Sequence, residues 1–590
     1  MGSEHLQNSD VSWGHEPERR LESGTGFQPV SPEQAGCLCH FLRFMGSCVV
    51  NGRRGAFSAV VIGSFSILAG ICVAAPVARA ADSTANYSNP VLAGDYPDPS
   101  IIRVGKDYWA AATSSEWSPQ FPILHSRDLV NWEIFGSVFA KRPVWAVANF
   151  WAPEISEYRG RYYVYYVGRR KDGPLSVAVA TADRPEGPYT DRGLLVSQDA
   201  GSIDPVPVVD EKGGRYLIWE EDGNSRKLPT VIWAQPLSED GTRVVGEMKE
   251  LIRNDAPWEG AVVEGPFVLR RGDWYYLFYS GSGCCGRGCD YALGVARSHA
   301  LPGPWEKNPL NPILTGNERW KCPGHGSIVT DERGRYFLLY HAYDARTFVY
   351  AGREMLLDEV RFGDDGWPTI NDGKGPSSSA PSPFGMTQRK AEYSFFDDFT
   401  GEHLGPGWQW PQGNEPSVRL DAANGGQLVL APASEHAGDP IGAVVARSTT
   451  SGDYEATTVI DTRGLKLGAF AGLSAFGDPA NALGVAIGEG RAVVWQRAKN
   501  QHKTVAEMND VIWPSVYLRL TARGGNRFLF AVSSDGRNWK TVGEPAEGGY
   551  LPPWDRSLRV ALTVGGVVGA AGRFNSFRME PSRSAGETPQ

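Results

Sequence analysis

Acidic residues beside proline recur along this chain at the entrances of strand-like runs, and this recurrence restricts the available folds more than any other feature. Gly-Asp-Tyr-Pro-Asp98-Pro-Ser, Trp-Ala-Pro-Glu154-Ile, Ser-Ile-Asp204-Pro-Val and Val-Glu264-Gly-Pro-Phe each lead into residues rich in Tyr, Trp, Val, Ile and Leu. Pro-Gly-His325-Gly-Ser-Ile holds the next place, so that from Asp98 to His325 the steps are 56, 50, 60 and 61 residues. A period of roughly 40–60 residues in an all-strand pattern marks a propeller. Five such units predict five blades and bring five polar side chains to one axis. A residue before proline is driven out of helical space into extended backbone, which helps to place Asp98 and Asp204.

The rest of each unit fits this reading. Segments such as "EYRGRYYVYYVGR" and "VLRRGDWYYLFYSG" place a polar turn between two strand-forming runs. Segments such as "ILHSRDLVNWE" and "VIWAQPLSEDG" then supply an outer hairpin. The predicted propeller spans 88–372. A Gly-, Pro- and Ser-rich linker follows over 373–390. From 391 to 580, period-two alternation with turns at Gly-Gly-Asn and Ser-Asp-Gly predicts a two-sheet β-sandwich, and 581–590 reads as a disordered tail. The fold class is all-β.

The N-terminus reads as a leader. Residues 1–52 show no period. Residues 53–80 run from Arg53-Arg54 through an apolar stretch to Ala78-Arg79-Ala80, the pattern of a cleaved signal peptide. The other reading of that stretch is a retained membrane anchor. Met45 lies just upstream and is a candidate true start. The signal reading places the protein outside the cell or in the periplasm, with no stable membrane association. It leaves Cys284, Cys285, Cys289 and Cys322, whose even count in an exported chain predicts two disulfides, one tying Cys322 to the 284–289 loop, rather than a metal knuckle. A net charge of −9 with no basic run argues against a nucleic-acid partner. Nineteen Trp, 22 Tyr and 24 Phe suit strands and sugar-stacking surfaces alike.

The series "GDYPDPSIIRVGKDYW…ILHSRDLVNWE", "WAPEI", "IDP", "EGPF" and "GREMLLDEVRF…DGWP", in this order, resembles glycoside hydrolase family 43. The C-terminal region resembles the concanavalin-like jelly roll of its β-xylosidase-type members. The resemblance implies a five-bladed propeller and an inverting hydrolase acting on xylan, arabinan or arabinoxylan fragments, as a β-xylosidase or α-L-arabinofuranosidase. An endo-α-1,5-arabinanase and a non-catalytic sugar-binding propeller are the alternatives. Carried over motif by motif, Asp98 is the general base, Glu264 the general acid, and Asp204 the residue that orients the acid and tunes its pKa. Inversion needs one carboxylate to activate water and one carboxylic acid to protonate the leaving oxygen, and a neighbouring carboxylate keeps the acid protonated. Arg353 matches an arginine that reaches sugar hydroxyls and the catalytic carboxylates, Asp95 braces the Asp98 turn, and Glu154, at the matching position of its blade, is a candidate substrate contact or else bonds neighbouring backbone near the channel. No cofactor is required, although His325 matches a channel histidine that in arabinan-degrading relatives helps hold a divalent cation and in other relatives contacts sugar or water, so it is a candidate substrate contact as well. Trp117, Phe121, Phe150, Trp151 and Trp320 are candidate stacking surfaces for sugar.

Overall fold

In a computed structural model the described residues are 85–389, 393–422 and 425–582. The expected leader (1–52), signal segment (53–80), candidate start Met45 and all but the first two residues of the tail lie outside them. Five four-stranded antiparallel sheets succeed one another along the chain. The first is Ser100–Val104, Asp107–Ala111, Gln120–Ser126 and Trp132–Phe139, and the fifth ends with Trp320–Thr330, Tyr336–Asp344, Glu354–Phe362 and Pro368–Ile370. The first strands of consecutive sheets touch, and that of the fifth touches that of the first, which closes a ring of blades around an axis. Apolar residues of facing sheets fill the spaces between blades. Tyr166, Val164 and Phe121, for example, pack the first blade on the second.

A strap closes the ring. Asn86–Ser88 pairs with Ser379–Pro381, so part of the segment expected to be linker is a strand of the propeller. The Asn89 amide donates to Leu357 O at 3.0 Å and its carbonyl accepts from Leu357 N at 3.0 Å, which ties the entry of the first blade to the fifth.

The C-terminal region is a sandwich of a nine-stranded and a six-stranded sheet. Its core includes Leu428, Leu473, Leu518, Phe530, Leu562 and Phe574, all essentially inaccessible. The sandwich is anchored to the propeller by strand pairing of Trp117–Ser118 with Trp410–Pro411. A buried ion pair between Arg559 Nη1 and Asp95 Oδ2 at 3.0 Å reinforces the contact. Cys284–Cys285 and Cys289–Cys322 form disulfides, the second joining the 284–289 loop to the fifth blade as expected.

Candidate active site

At the start of each blade a residue stands in left-handed backbone: Asp98 (φ 53°) just ahead of the first strand of its blade, and Ala152 (φ 42°), Asp204 (φ 53°), Gly265 (φ 59°) and His325 (φ 40°) within the first strands of the other four, where Asn149 and Cys322 are further such residues of the second and fifth. From the second blade to the fifth, the pairing register shifts at this point, the mark of a β-bulge. Non-glycine residues seldom hold such backbone without compensating contacts. The device turns the backbone at one point near the start of each blade. It also corrects the register read from sequence. Asp98, Asp204 and His325 are equivalent, but Glu264 precedes the left-handed position of its blade and Glu154 lies two residues beyond it. Glu154 therefore sits one step along its strand from the acids, level with Ser100 of the first blade, and burial alone raises its carboxyl well above the ordinary value.

Asp98 is held as an anion. Its Oδ1 takes Arg353 Nη1 at 2.9 Å and its Oδ2 takes the Thr113 hydroxyl at 2.7 Å. Its backbone N–H donates to His341 Nδ1 at 3.1 Å, and the His341 ring stacks parallel to Tyr291. Burial alone would raise this carboxyl, but the Arg353 guanidinium, together with His325 and His341, outweighs it and holds Asp98 well below the usual carboxylate range. Burial pushes His341 down to about 4, so its imidazole is neutral at working pH. Burial likewise lowers His325, whose Nδ1 lies 3.7 Å from both Asp98 Oδ1 and Asp204 Oδ2. Gly265 makes this approach possible, because a Cβ there would come within 2.9 Å of the His325 ring.

The opposite side of the site is built the other way. Asp204 Oδ2 accepts the Gly265 N–H at 2.9 Å, and Glu264 Oε1 accepts the Tyr291 hydroxyl at 2.7 Å. Burial, then the charge of Asp98, raises the Asp204 carboxyl; burial, then the charge of Asp204, raises that of Glu264. No Lys or Arg among the described residues pairs with either. A third acid, Glu220, shares this corner, with one oxygen of each of the three within 4.8 Å of the others. Sequence reasoning missed it. Glu220-Glu221-Asp222 ends a second strand without a proline and reads as a solvated run of charge, yet Glu220 is 0% exposed. His325, the residue singled out for a cation, is not part of that cluster.

The aromatic expectations divide. Trp151 is half-buried and meets the Trp554 ring edge-on at 6.0 Å, an exposed side chain contributed by the sandwich. Trp117 and Phe150 require correction. Trp117 is buried against Phe476 of the sandwich with Arg559 over its face, and Phe150 is wholly inside the core between the first two blades. Phe121 and Trp320 are core as well. None of these four has a face left for a sugar. Arg353 does reach a catalytic candidate, and its Nη2 also donates to Asp555 O of the sandwich at 3.1 Å. Asp95 accepts the Arg353 N–H and, besides Arg559, the Ser557 N–H, so it braces the arginine and the sandwich segment rather than the Asp98 turn.

A propeller whose axis gathers one ionised and several proton-holding carboxylates is the frame of a carbohydrate-cleaving enzyme that works by acid and base. Residues 87–368 match the glycosyl hydrolases family 43, and residues 396–558 match the beta xylosidase C-terminal concanavalin A-like domain. The chain is 30% identical over 410 residues to xylosidase/arabinosidase 43B of Humicola insolens, covering 66% of this chain and 74% of that one. It is 30% identical to a xylosidase/arabinosidase of Butyrivibrio fibrisolvens over 49% of this chain and 57% of the relative. The crystal structure of the GH43 BlXynB protein from Bacillus licheniformis superposes with a TM-score of 0.72 at 27% identity, covering 84% of this chain and 100% of that one. The chain belongs to glycoside hydrolase family 43 and is a glycoside hydrolase.

Proposed function

We propose that this enzyme is an exported, inverting, exo-acting pentosidase that releases terminal xylose or arabinose from xylan- or arabinan-type fragments. The observation that carries the reading is the opposed surroundings of two acids in one site: Asp98 lies 2.9 Å from the Arg353 guanidinium, which favours its anion, and Glu264 is buried with no arginine or lysine partner among the described residues, which favours its protonated form. In the reaction, Asp98 accepts a proton from a water whose oxygen bonds to the anomeric carbon. The bond from that carbon to the leaving oxygen breaks as Glu264 gives the oxygen its proton. A strongly held anion is a weak base at rest. It suffices here because the water acidifies only as its oxygen bonds to the oxocarbenium-like carbon.

The sandwich supports exo action. Asp555 hydrogen-bonds the arginine that holds Asp98, and Trp554 stands against Trp151, so the second domain packs directly on the surroundings of the site. The two disulfides agree with export. The relatives named as xylosidase/arabinosidases support a pentoside substrate. The test is hydrolysis of 4-nitrophenyl β-D-xyloside, 4-nitrophenyl α-L-arabinofuranoside, xylo-oligosaccharides and linear arabinan, with product sizes followed in time. Single pentoses from the first minutes are expected. Early di- and trisaccharides from arabinan would make it an endo-arabinanase, and binding without cleavage would make it a sugar-binding propeller.

A further inference from the structure

Glu220 is unused by the mechanism above. It sits on the second strand of the third blade, Arg215–Glu221, in register with Ile203 and Ile232, which bring no charge. The titratable groups facing it are Glu264 from the fourth blade, Asp204 from the first strand of its own blade, and Asp222 two residues on. No described cation faces it. Both its oxygens are buried without a hydrogen-bond partner. Three acids this close cannot all be ionised, because like charges in a buried site disfavour one another. The local contacts decide where the charge settles. Asp204 receives a backbone N–H, which favours its ionised form, and Glu264 receives only a tyrosine hydroxyl. Glu220 receives nothing, so charge there would be uncompensated.

We propose that Glu220 is a positioning residue for the general acid: it faces the pair as a neutral carboxylic acid whose hydroxyl hydrogen-bonds the Asp204 carboxylate, keeping Asp204 ionised so that the second proton of the cluster stays on Glu264. Oxygens no more than 4.8 Å apart reach hydrogen-bond range through a side-chain movement of up to about 2 Å. A neutral acid has one donor to give, and Asp204 is the more charged of the two acceptors beside it. Burial, then Glu264 and Asp204, raises the Glu220 carboxyl well above its ordinary value, in agreement with a neutral form. The inference rests on the acid role proposed for Glu264.

The test compares Glu220→Leu, which removes the donor, with Glu220→Gln, which keeps a neutral one. Both are assayed on 4-nitrophenyl β-D-xyloside and on xylobiose, or on the arabinofuranoside pair if that is the better substrate, across pH. Without the donor the proton moves to Asp204 and Glu264 ionises earlier. Glu220→Leu should therefore lose about tenfold more rate on the unactivated disaccharide than on the nitrophenyl glycoside, which needs little protonation. Its alkaline limb should move to lower pH, and Glu220→Gln should restore the wild-type limb. Glu220→Met, which leaves more slack in packing, replaces the leucine variant if that fails to fold by circular dichroism. Equal loss on both substrates with an unmoved limb would overturn the proposal in favour of a packing role. A limb shifted equally by Gln would show that Glu220 acts as a charge. Wild-type activity lost to EDTA and restored by Ca²⁺ would show that a cation neutralises the cluster instead. Glu264→Gln run in parallel separates the two readings: if its loss is not leaving-group dependent, the acid assignment itself fails; if it is, and Glu220→Leu is not, only this inference fails.

Discussion

The two halves of the site differ in one respect that accounts for their chemistry. On the side built by the first and fifth blades, a buried carboxylate has a fixed guanidinium 2.9 Å away. On the side built by the third and fourth, three buried acids have no arginine or lysine partner among the described residues. Burial acts on both and always opposes charge, so the partner decides the outcome. One side keeps an anion through the working range, and the other keeps protons to a pH at which ordinary carboxyls have lost theirs. The lesson is that a carboxylate's role in such a site is read from its neighbours more than from its position on a blade, since Asp98 and Asp204 occupy equivalent backbone positions with opposite shifts.

The comparison breaks most severely when an acid itself is removed. Asp98→Asn and Glu264→Gln should each lower turnover about 10²–10⁴-fold. The two should differ in kind: Glu264→Gln recovers part of its loss on an activated leaving group, and Asp98→Asn does not. Rates on paired nitrophenyl and unactivated pentosides check this.

Next in size is the cation. Arg353→Met leaves Asp98 buried and unpaired, and losing one partner of a buried pair costs about 3–5 kcal/mol. The sign with pH is defined. In the wild type, Arg353 depresses the Asp98 pKa, so the pair contributes stability above the unfolded carboxyl's pKa and loses it as pH falls. In the variant the carboxyl is raised, so its charge is destabilising above the unfolded pKa and protonation relieves this as pH falls. The stability deficit should therefore be largest at neutral pH and shrink toward pH 4, and the acid limb of the activity profile should move upward. Thermal melts and rate profiles across pH measure both. A deficit independent of pH would detach Arg353 from Asp98.

Smaller effects sharpen the other side. Asp204→Asn removes the charge that helps keep the proton on Glu264, so the alkaline limb should fall by about one unit. Tyr291→Phe removes the hydroxyl whose donation favours ionised Glu264, so the same limb should rise by a fraction of a unit. Shifts in the same direction would show that the limb does not report Glu264.

The blade repeat was legible in the sequence because every blade starts with the same local pattern, a polar residue next to a proline or glycine and ahead of a strand-forming run. The left-handed register was not, since Glu264-Gly265-Pro and Ala152-Pro-Glu154 look interchangeable until the backbone shows which residue turns. Glu220 was hidden because burial is a property of the packed blades, and a strand-end Glu-Glu-Asp ordinarily lies in water. Trp117 and Phe150 were misjudged for the converse reason: an aromatic beside an active-site motif looks the same whether its face is free or covered, and the residue covering Trp117 is Phe476, in the other domain. The sandwich's contribution had no local signal. Asp95 meets Ser557 across 462 residues of sequence.

The most direct test of an ionised Asp98 working against a protonated Glu264 is the configuration of the sugar first released, followed by proton NMR within seconds of adding enzyme. Water activated by one acid while the other protonates the leaving oxygen inverts the anomeric centre in a single displacement. A β-xyloside should give the α-anomer first, and an α-arabinofuranoside the β-anomer, each then mutarotating. First appearance of the retained anomer would require a covalent glycosyl–enzyme intermediate and would contradict the roles given to both acids.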